Sequence, residues 1–206
     1  MVATRIKDLS LYDVQSQFAL SLSDRPDFFT EWPLCDASVT SDEQLQLDQI
    51  KSDYLYLSQK PRNEGTVKLV VISRLLAIAG FYRPPFDLTA EKAIKIQARD
   101  EGRVFRGFID ILVFQDQFWI LVIESKHTQF SLETAIPQAL AYMTASPNLD
   151  RPVYGMVTNG SEYQFLKLVH QPKLEYQISD LFSLRRGNDL YTVLNILKRL
   201  GTIAIH

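Results

Sequence analysis

The sequence predicts an α/β protein with a mixed central β-sheet flanked by helices on both faces. Three observations lead there. Residues 103–126 (RVFRGFIDILVFQDQFWILVIESK) hold two β-branched and aromatic runs about a polar break at Gln115-Asp116-Gln117, the pattern of an antiparallel hairpin. The second run is apolar on both alternating faces, Phe118, Ile120 and Val122 against Trp119, Leu121 and Ile123, as in a strand in the middle of a covered sheet. Around it, helical and strand-like apolar periods succeed one another, which places helices on both sides of the sheet.

The elements follow in order. Residues 10–20 form a short helix, with Ser10 and Asp13 near capping-box spacing and Leu11, Val14 and Phe18 on one face. Residues 21–40, with Pro26 and Pro33, form an irregular connection whose Phe28, Phe29 and Trp32 pack on the domain. Residues 41–58 form a helix capped by Ser41, with Leu45, Ile50, Tyr54 and Leu57 inward, ending at Lys60-Pro61. Asn63 caps a largely buried helix that runs to about Ile78, with Gly80 as its stop. Residues 92–99 alternate as a half-exposed strand, and Asp100-Glu101-Gly102 turns into the hairpin. A helix runs from Ser131 to about Ala145, with Pro137 as a kink or close to the true start. Two strands, 152–158 and 162–169, flank Asn159-Gly160, a hairpin signal. An edge strand at 174–178 and a helix at 187–200 close the chain. Residues 1–60 are expected as a helical N-terminal extension packed on a core of 61–206, the two forming one compact unit.

Composition bounds the function. At 206 residues and 46% apolar, the chain suits one domain with a real core. A net charge of −2 gives no global basic signature, so a nucleic-acid site must be a local patch. The lone Cys35 excludes an internal disulfide and a Cys-rich zinc site, and fits a reducing, cytoplasmic setting. No apolar run approaches the ~20 residues of a membrane span, so no membrane partner is expected.

The central hairpin carries Asp110, Glu124 and Lys126, and charges in a core are costly unless paired or bound to metal. Side-chain alternation puts Glu124 and Lys126 on one face and points Ser125 away. With a three-residue loop, 115–117, Asp110 lies opposite Val122, on the face of Glu124 and one diagonal step away, roughly 7–8 Å. A two-residue loop would send Asp110 to the other face. The same three residues also fit a buried ion pair that holds the core together.

Asp110 followed by Glu124-x-Lys126 on the next strand resembles the signature of the PD-(D/E)xK nucleases. Gln138-x-x-x-Tyr142 on the following helix, and Val157-Thr158-Asn159-Gly160 after it, resemble the N-terminal nuclease domain of type I restriction enzyme R subunits, in a stand-alone, cyanobacterial-type version. The resemblance spans about 62–170. Ile109 stands where that signature often has Pro.

The resemblance implies a restriction-endonuclease-like core and a Mg²⁺-dependent endonuclease acting on DNA, with Mn²⁺ able to substitute. Asp110 and Glu124 would hold the metal with the Ser125 carbonyl. Lys126 would orient the attacking water or offset charge on phosphorus, and Gln138 would contact the backbone or orient Lys126. Glu64, on the early helix, is either a supporting metal ligand or a first-turn acid matching the helix dipole. Tyr142 shares the face of Gln138. The chain has no Gly-x-x-x-x-Gly-Lys-Ser/Thr, so the partners expected are DNA and either a second copy or a separate motor or specificity subunit. His127 is expected beside the site rather than as a ligand. Arg99, Arg103 and Arg106 are either phosphate contacts or solvated strand edges. The alternative function is a non-catalytic DNA-binding or assembly module that keeps the nuclease fold.

Overall fold

The computed structural model describes residues 4–31, 39–60, 63–97, 103–127 and 131–205. Trp32, Cys35, Arg99 and the 100–102 turn lie outside them. In chain order the elements are β1 (Thr4–Arg5), α1 (Leu11–Phe18), β2 (Ser21–Leu22), α2 (Ser41–Leu57), α3 (Glu64–Val67) and α4 (Ser73–Ile78). There follow β3 (Asp87–Gln97), β4 (Val104–Gln115), β5 (Phe118–Ser125), α5 (Ile136–Met143) and β6 (Val153–Thr158). The chain closes with β7 (Glu162–Val169), β8 (Glu175–Ile178), β9 (Phe182–Ser183) and α6 (Asp189–Ile205).

All the strands join one mixed sheet in the order β1-β4-β5-β6-β7-β8-β2, with β3 also on β4 and β9 on β7. The β1–β4, β2–β8 and β5–β6 pairs are parallel and the others antiparallel. The N-terminal segment, expected as a helical extension, thus also supplies two strands to the sheet. One face buries a core with α2, α3, α4 and α6 through Ile50, Val71, Leu75, Leu121, Ile123 and Leu194. The other buries a second core with α1 and α5 through Val14, Phe18, Val122, Leu140 and Val157.

Local chemistry sets the helix ends. Ser10 and Asp13 form a full capping box on α1. On α2 the cap is Thr40, boxed with Glu43, one residue before the expected Ser41. The buried stripe of α2 is Leu47, Ile50 and Tyr54, which leaves Leu45 exposed, against expectation. Asn63 caps α3 by accepting the Thr66 N–H. A π-helical turn, Lys68–Ile72, links α3 to α4 in one continuous helix. A wider turn shifts the side-chain phase, and Leu69 faces solvent within this otherwise apolar run. Pro137 sits in the first turn of α5, where its missing N–H costs nothing.

The β4–β5 hairpin departs from the predicted register. Gln115 pairs with Phe118, so the loop has two residues, Asp116 and Gln117, with Asp116 at φ 54°. Such a loop alone would face Asp110 away from Glu124. A β-bulge after Val113 adds one residue on β5, so Leu112 pairs with Val122 and Ile111 with Ile123. Continued by one step, the ladder sets Asp110 opposite Glu124 itself. The bulge restores the parity that a third loop residue was expected to supply.

A second irregularity lies at Asp110. Along β4, Phe105 and Ile109 belong to the core of α1 and α5, whereas Ile111 and Val113 belong to the other core. The partner strand changes layers at the same level, where Glu91 takes φ 53° between the Ala90–Ile111 and Lys92–Ile109 pairs. Asp110 therefore sits where the β3–β4 ribbon twists from one layer to the other.

Gly160, in the β6–β7 turn, has φ +85°, and a Cβ there would lie 2.7 Å from the Tyr54 ring and 3.0 Å from Val67. The turn is thus where α2 and α3 meet the sheet. Gly160→Ala is expected to cost about 1–3 kcal/mol through backbone strain and overpacking, lowering Tm by several degrees. An unchanged melting curve would refute that tight seat.

Candidate functional site

The site begins as a gap in the sheet. β1 pairs with β4 at Phe105 and Arg106, and β5 pairs with it from Ile111 onward, both on the edge away from β3. Between them β4 has no strand partner on that edge among the described residues. Its main-chain donors are met by side chains instead: Phe108 N–H donates to the Tyr142 hydroxyl (3.0 Å) and Asp110 N–H to Glu124 Oε1 (3.2 Å). Buried N–H groups need partners, so the gap itself selects a hydroxyl and a carboxylate.

Asp110 lies in the fork where β4 and β5 part. Its Oδ2 accepts from Ser125 N (2.7 Å) and Ser125 Oγ (2.8 Å). Ser125 therefore does not point away from Asp110, as strict alternation predicted: the opening strands let the carboxylate reach its main chain and hydroxyl together. Asp110 Oδ1 accepts from Lys68 Nζ at 2.8 Å, and the same ammonium reaches Glu91 Oε1 at 3.0 Å. Lys68 opens the π-helical turn and is mostly buried.

Glu124 is fully buried, and its Oε2 has no hydrogen-bond partner among the described residues. Desolvation, and then the charge of Asp110, push its pKa well above the usual glutamate range, against the pull of Lys126 and Lys68. A buried carboxylate oxygen without a donor, beside a second carboxylate, could serve as a ligand to a hard cation.

Lys126 follows β5, its N–H continuing the β5–β6 ladder to Thr158 O (2.8 Å). Its ammonium donates to Gln138 Oε1 at 2.7 Å, and Gln138 Nε2 donates to the Tyr142 hydroxyl at 3.3 Å. Since Lys can only donate, the orientation of the Gln138 amide is fixed. Burial, with the nearby Glu124 charge, pushes the Tyr142 pKa up to about 12, so the phenol stays protonated at neutral pH. Gly107 makes the approach possible: a Cβ there would lie 2.3 Å from the Tyr142 oxygen.

The structure thus gathers Asp110, Glu124, Ser125, Lys126, Gln138 and Tyr142 in one place. Glu64 is not brought there. It is exposed on the first turn of α3, one helical turn before Lys68, and the described residues contain no cluster of three or more His, Cys, Asp or Glu that could hold a metal. His127 lies half-buried at the end of β5, and Arg106 is exposed on β4. Lys198 pairs with Glu43, Arg186 with Asp189, and Arg199 donates to Glu31 O, which gives these cations structural roles. Lys68, Glu91 and Gly107 were not foreseen as site residues. The one signal for Lys68 was a lysine inside an apolar helical run.

Comparison with solved structures finds a fragment assigned as an HsdR subunit of a type I restriction enzyme from Vibrio vulnificus YJ016. The alignment has a TM-score of 0.42 and 20% sequence identity, and covers 66% of this chain and 26% of that one. No protein-family model and no curated protein matches the chain.

The burial of Glu124 predicts a pH dependence. With its folded pKa raised, the folded state keeps a proton that the unfolded state has already released, so stability falls as pH rises from the ordinary glutamate range toward the raised value. In EDTA, Glu124→Gln should lose that slope, so the variant's Tm should rise relative to that of wild type as pH increases above the ordinary glutamate range. Parallel Tm curves would show that the carboxylate is not buried in this way.

Proposed function

We propose that this chain is a metal-dependent nuclease that hydrolyses DNA phosphodiester bonds. The observation that carries it is the partnerless, buried Oε2 of Glu124 beside the Asp110 carboxylate, with the Lys126 ammonium held close by Gln138. The resemblance of Asp110, Glu124-x-Lys126 and Gln138-x-x-x-Tyr142 to the PD-(D/E)xK signature supports the same reading.

Asp110 and Glu124, with the Ser125 carbonyl, are the groups that would hold Mg²⁺ or Mn²⁺. The bound metal would polarise a phosphoryl oxygen and lower the pKa of a water. The protein's own contribution is position. Ser125 fixes Asp110 through two hydrogen bonds, and Asp110 N–H fixes Glu124. Gln138 holds Lys126 by its oxygen, leaving the other two ammonium protons for phosphate oxygens. Tyr142 anchors Gln138 to β4. Such a lysine offsets charge that builds on the phosphate, a role in which preorganised donors are most effective.

A non-catalytic DNA-binding or assembly module is the second reading. It draws on the bonds that Asp110 already makes, with Lys68 on one oxygen and Ser125 on the other. The partners implied by the nuclease reading are DNA and either a second copy of the chain or a separate motor or specificity subunit. A cytoplasmic setting is part of the same proposal; no helix among the described residues is long and apolar enough to cross a membrane.

Two outcomes are expected. Incubated with supercoiled, linear or single-stranded DNA and Mg²⁺ or Mn²⁺, wild type cleaves. Asp110→Ala and Lys126→Ala each lose at least about 100-fold of the rate, the scale of one removed catalytic group, while keeping their melting transitions. Cleavage at the wild-type rate by either variant would sink the assignment. Divalent metal should also raise the wild-type Tm, since a ligand that binds only the folded state at 100-fold over its Kd adds about 2.7 kcal/mol. Little or no rise is expected in Asp110→Ala, and a flat wild-type titration would favour the second reading.

A further inference from the structure

Next to the carboxylates, on the same edge of β4, lies a cavity of about 370 Å³ lined by Arg5, Lys7, Arg106, Phe108, Gln138 and Tyr142. Two of its cations, Arg5 and Arg106, belong to a row that runs out of the cavity across β4 to Lys95 on β3. Arg5 on β1 is the register partner of Arg106 on β4, and Lys95 on β3 is the register partner of Arg106 from the other side. Three cations therefore stand in one row across three neighbouring strands, on one face. All three are exposed. Arg5 is paired with Asp8 at 2.7 Å, whereas Arg106, Lys95 and Lys7 have no ion-pair partner among the described residues. Like charges directly opposite one another destabilise a sheet, and Asp8 offsets only Arg5. An anion on Arg106 and Lys95 would relieve the rest of the row.

The next same-face residue along β4 is Phe108, roughly 7 Å from Arg106 at the rise of a strand. It is 59% exposed, a large apolar ring left on the surface at the mouth of the site. Asp110 follows two residues on. Cation row and open aromatic ring thus lie on one face of β4, and the carboxylate follows where the β3–β4 ribbon turns from one layer to the other. A repeating phosphate backbone with unpaired bases suits this order: the cations take phosphates and the ring takes a base face, as in surfaces that bind single strands. In a duplex the base faces are stacked and offer nothing to such a ring.

We propose that this groove binds an unpaired nucleic-acid strand, with Arg5, Arg106 and Lys95 on its phosphates and Phe108 stacked on a base, and delivers the strand to the Asp110–Glu124 end. The choice of polyanion rests on the nuclease reading of the adjoining carboxylates.

The test measures binding of fluorescent single-stranded and duplex oligonucleotides to the full chain in EDTA, where no cleavage occurs, across a salt series. Wild type should prefer the single strand. Phe108→Ala should weaken single-strand binding about tenfold or more and leave duplex binding unchanged. Arg106→Gln and Lys95→Gln should each flatten the slope of log K against log salt by about 0.7. These side chains are exposed, so Phe108→Ala should keep the wild-type Tm, and the two cation variants, relieved of like-charge repulsion, should match or exceed it. Equal affinity for both forms, a Phe108→Ala variant that binds single strands normally, or binding only to anionic lipid vesicles would each overturn the proposal. Failure here is separable from failure of the nuclease reading. If the strand binds as described but is not cut with metal, the groove stands and the nuclease reading fails. If wild type cuts while the groove variants bind normally, the groove fails and the nuclease reading stands.

Discussion

Two main-chain N–H groups of β4, at Phe108 and Asp110, face an edge that neither β1 nor β5 covers. That shortage of partners is the constraint on which the site depends. An unmet buried donor costs about 1–3 kcal/mol. The fold meets both with side chains from different elements, Tyr142 of α5 and Glu124 of β5. Each then draws in the next residue. Tyr142 requires Gly107 beneath it and orients Gln138, which orients Lys126. Glu124 stands against Asp110, and Asp110 takes Ser125 and Lys68. The gap in one strand edge thus determines where every polar group around it stands.

The charges make sense only as a set. Asp110, Glu124 and Glu91 face Lys68 and Lys126, so the acids outnumber the bases by one. Burial makes the excess costly, and it is expressed at the most buried member, Glu124, whose pKa rises. A core that needed only an ion pair would be better served by one acid to each lysine. A surplus carboxylate, fully buried, is poorly explained by stability, since buried ion pairs contribute little to it even when matched. A cation from solution would remove the surplus.

Much of this was legible in the sequence because strands and helices impose short periods. Asp110, Glu124 and Lys126 stood out as charges in an apolar hairpin. Gln138 and Tyr142 were marked only by the resemblance to the family's Gln-x-x-x-Tyr motif, whose spacing puts them on one helical face. What escaped lay between elements. A two-residue loop with a bulge and a three-residue loop give the same facing for Asp110, and no local pattern separates them. Glu91 and Asp110 sit where a twisted ribbon changes layers, a property of the whole sheet. Gly107 is required by a tyrosine 35 positions away, which no local period reports.

The early helix shows most clearly why the rest was hidden. The resemblance offered Glu64 on that helix as a supporting acid, with a first-turn acid matching the helix dipole as the other reading, and its exposed first-turn position fits the second. The helix does face the carboxylates, but with Lys68, one turn later and at the start of the π-helical turn. Electrostatics explains the preference. A third acid beside Asp110 and Glu124 would raise the cost of a charge excess that Glu124 already bears, whereas an ammonium reduces it. Lys68 spans Asp110 and Glu91, from the two strands of the twisted ribbon, so it also fastens the helix to the place where that ribbon turns. A residue type chosen by the net charge of its neighbours can be found from sequence only when those neighbours are already known, and here they come from three separate elements.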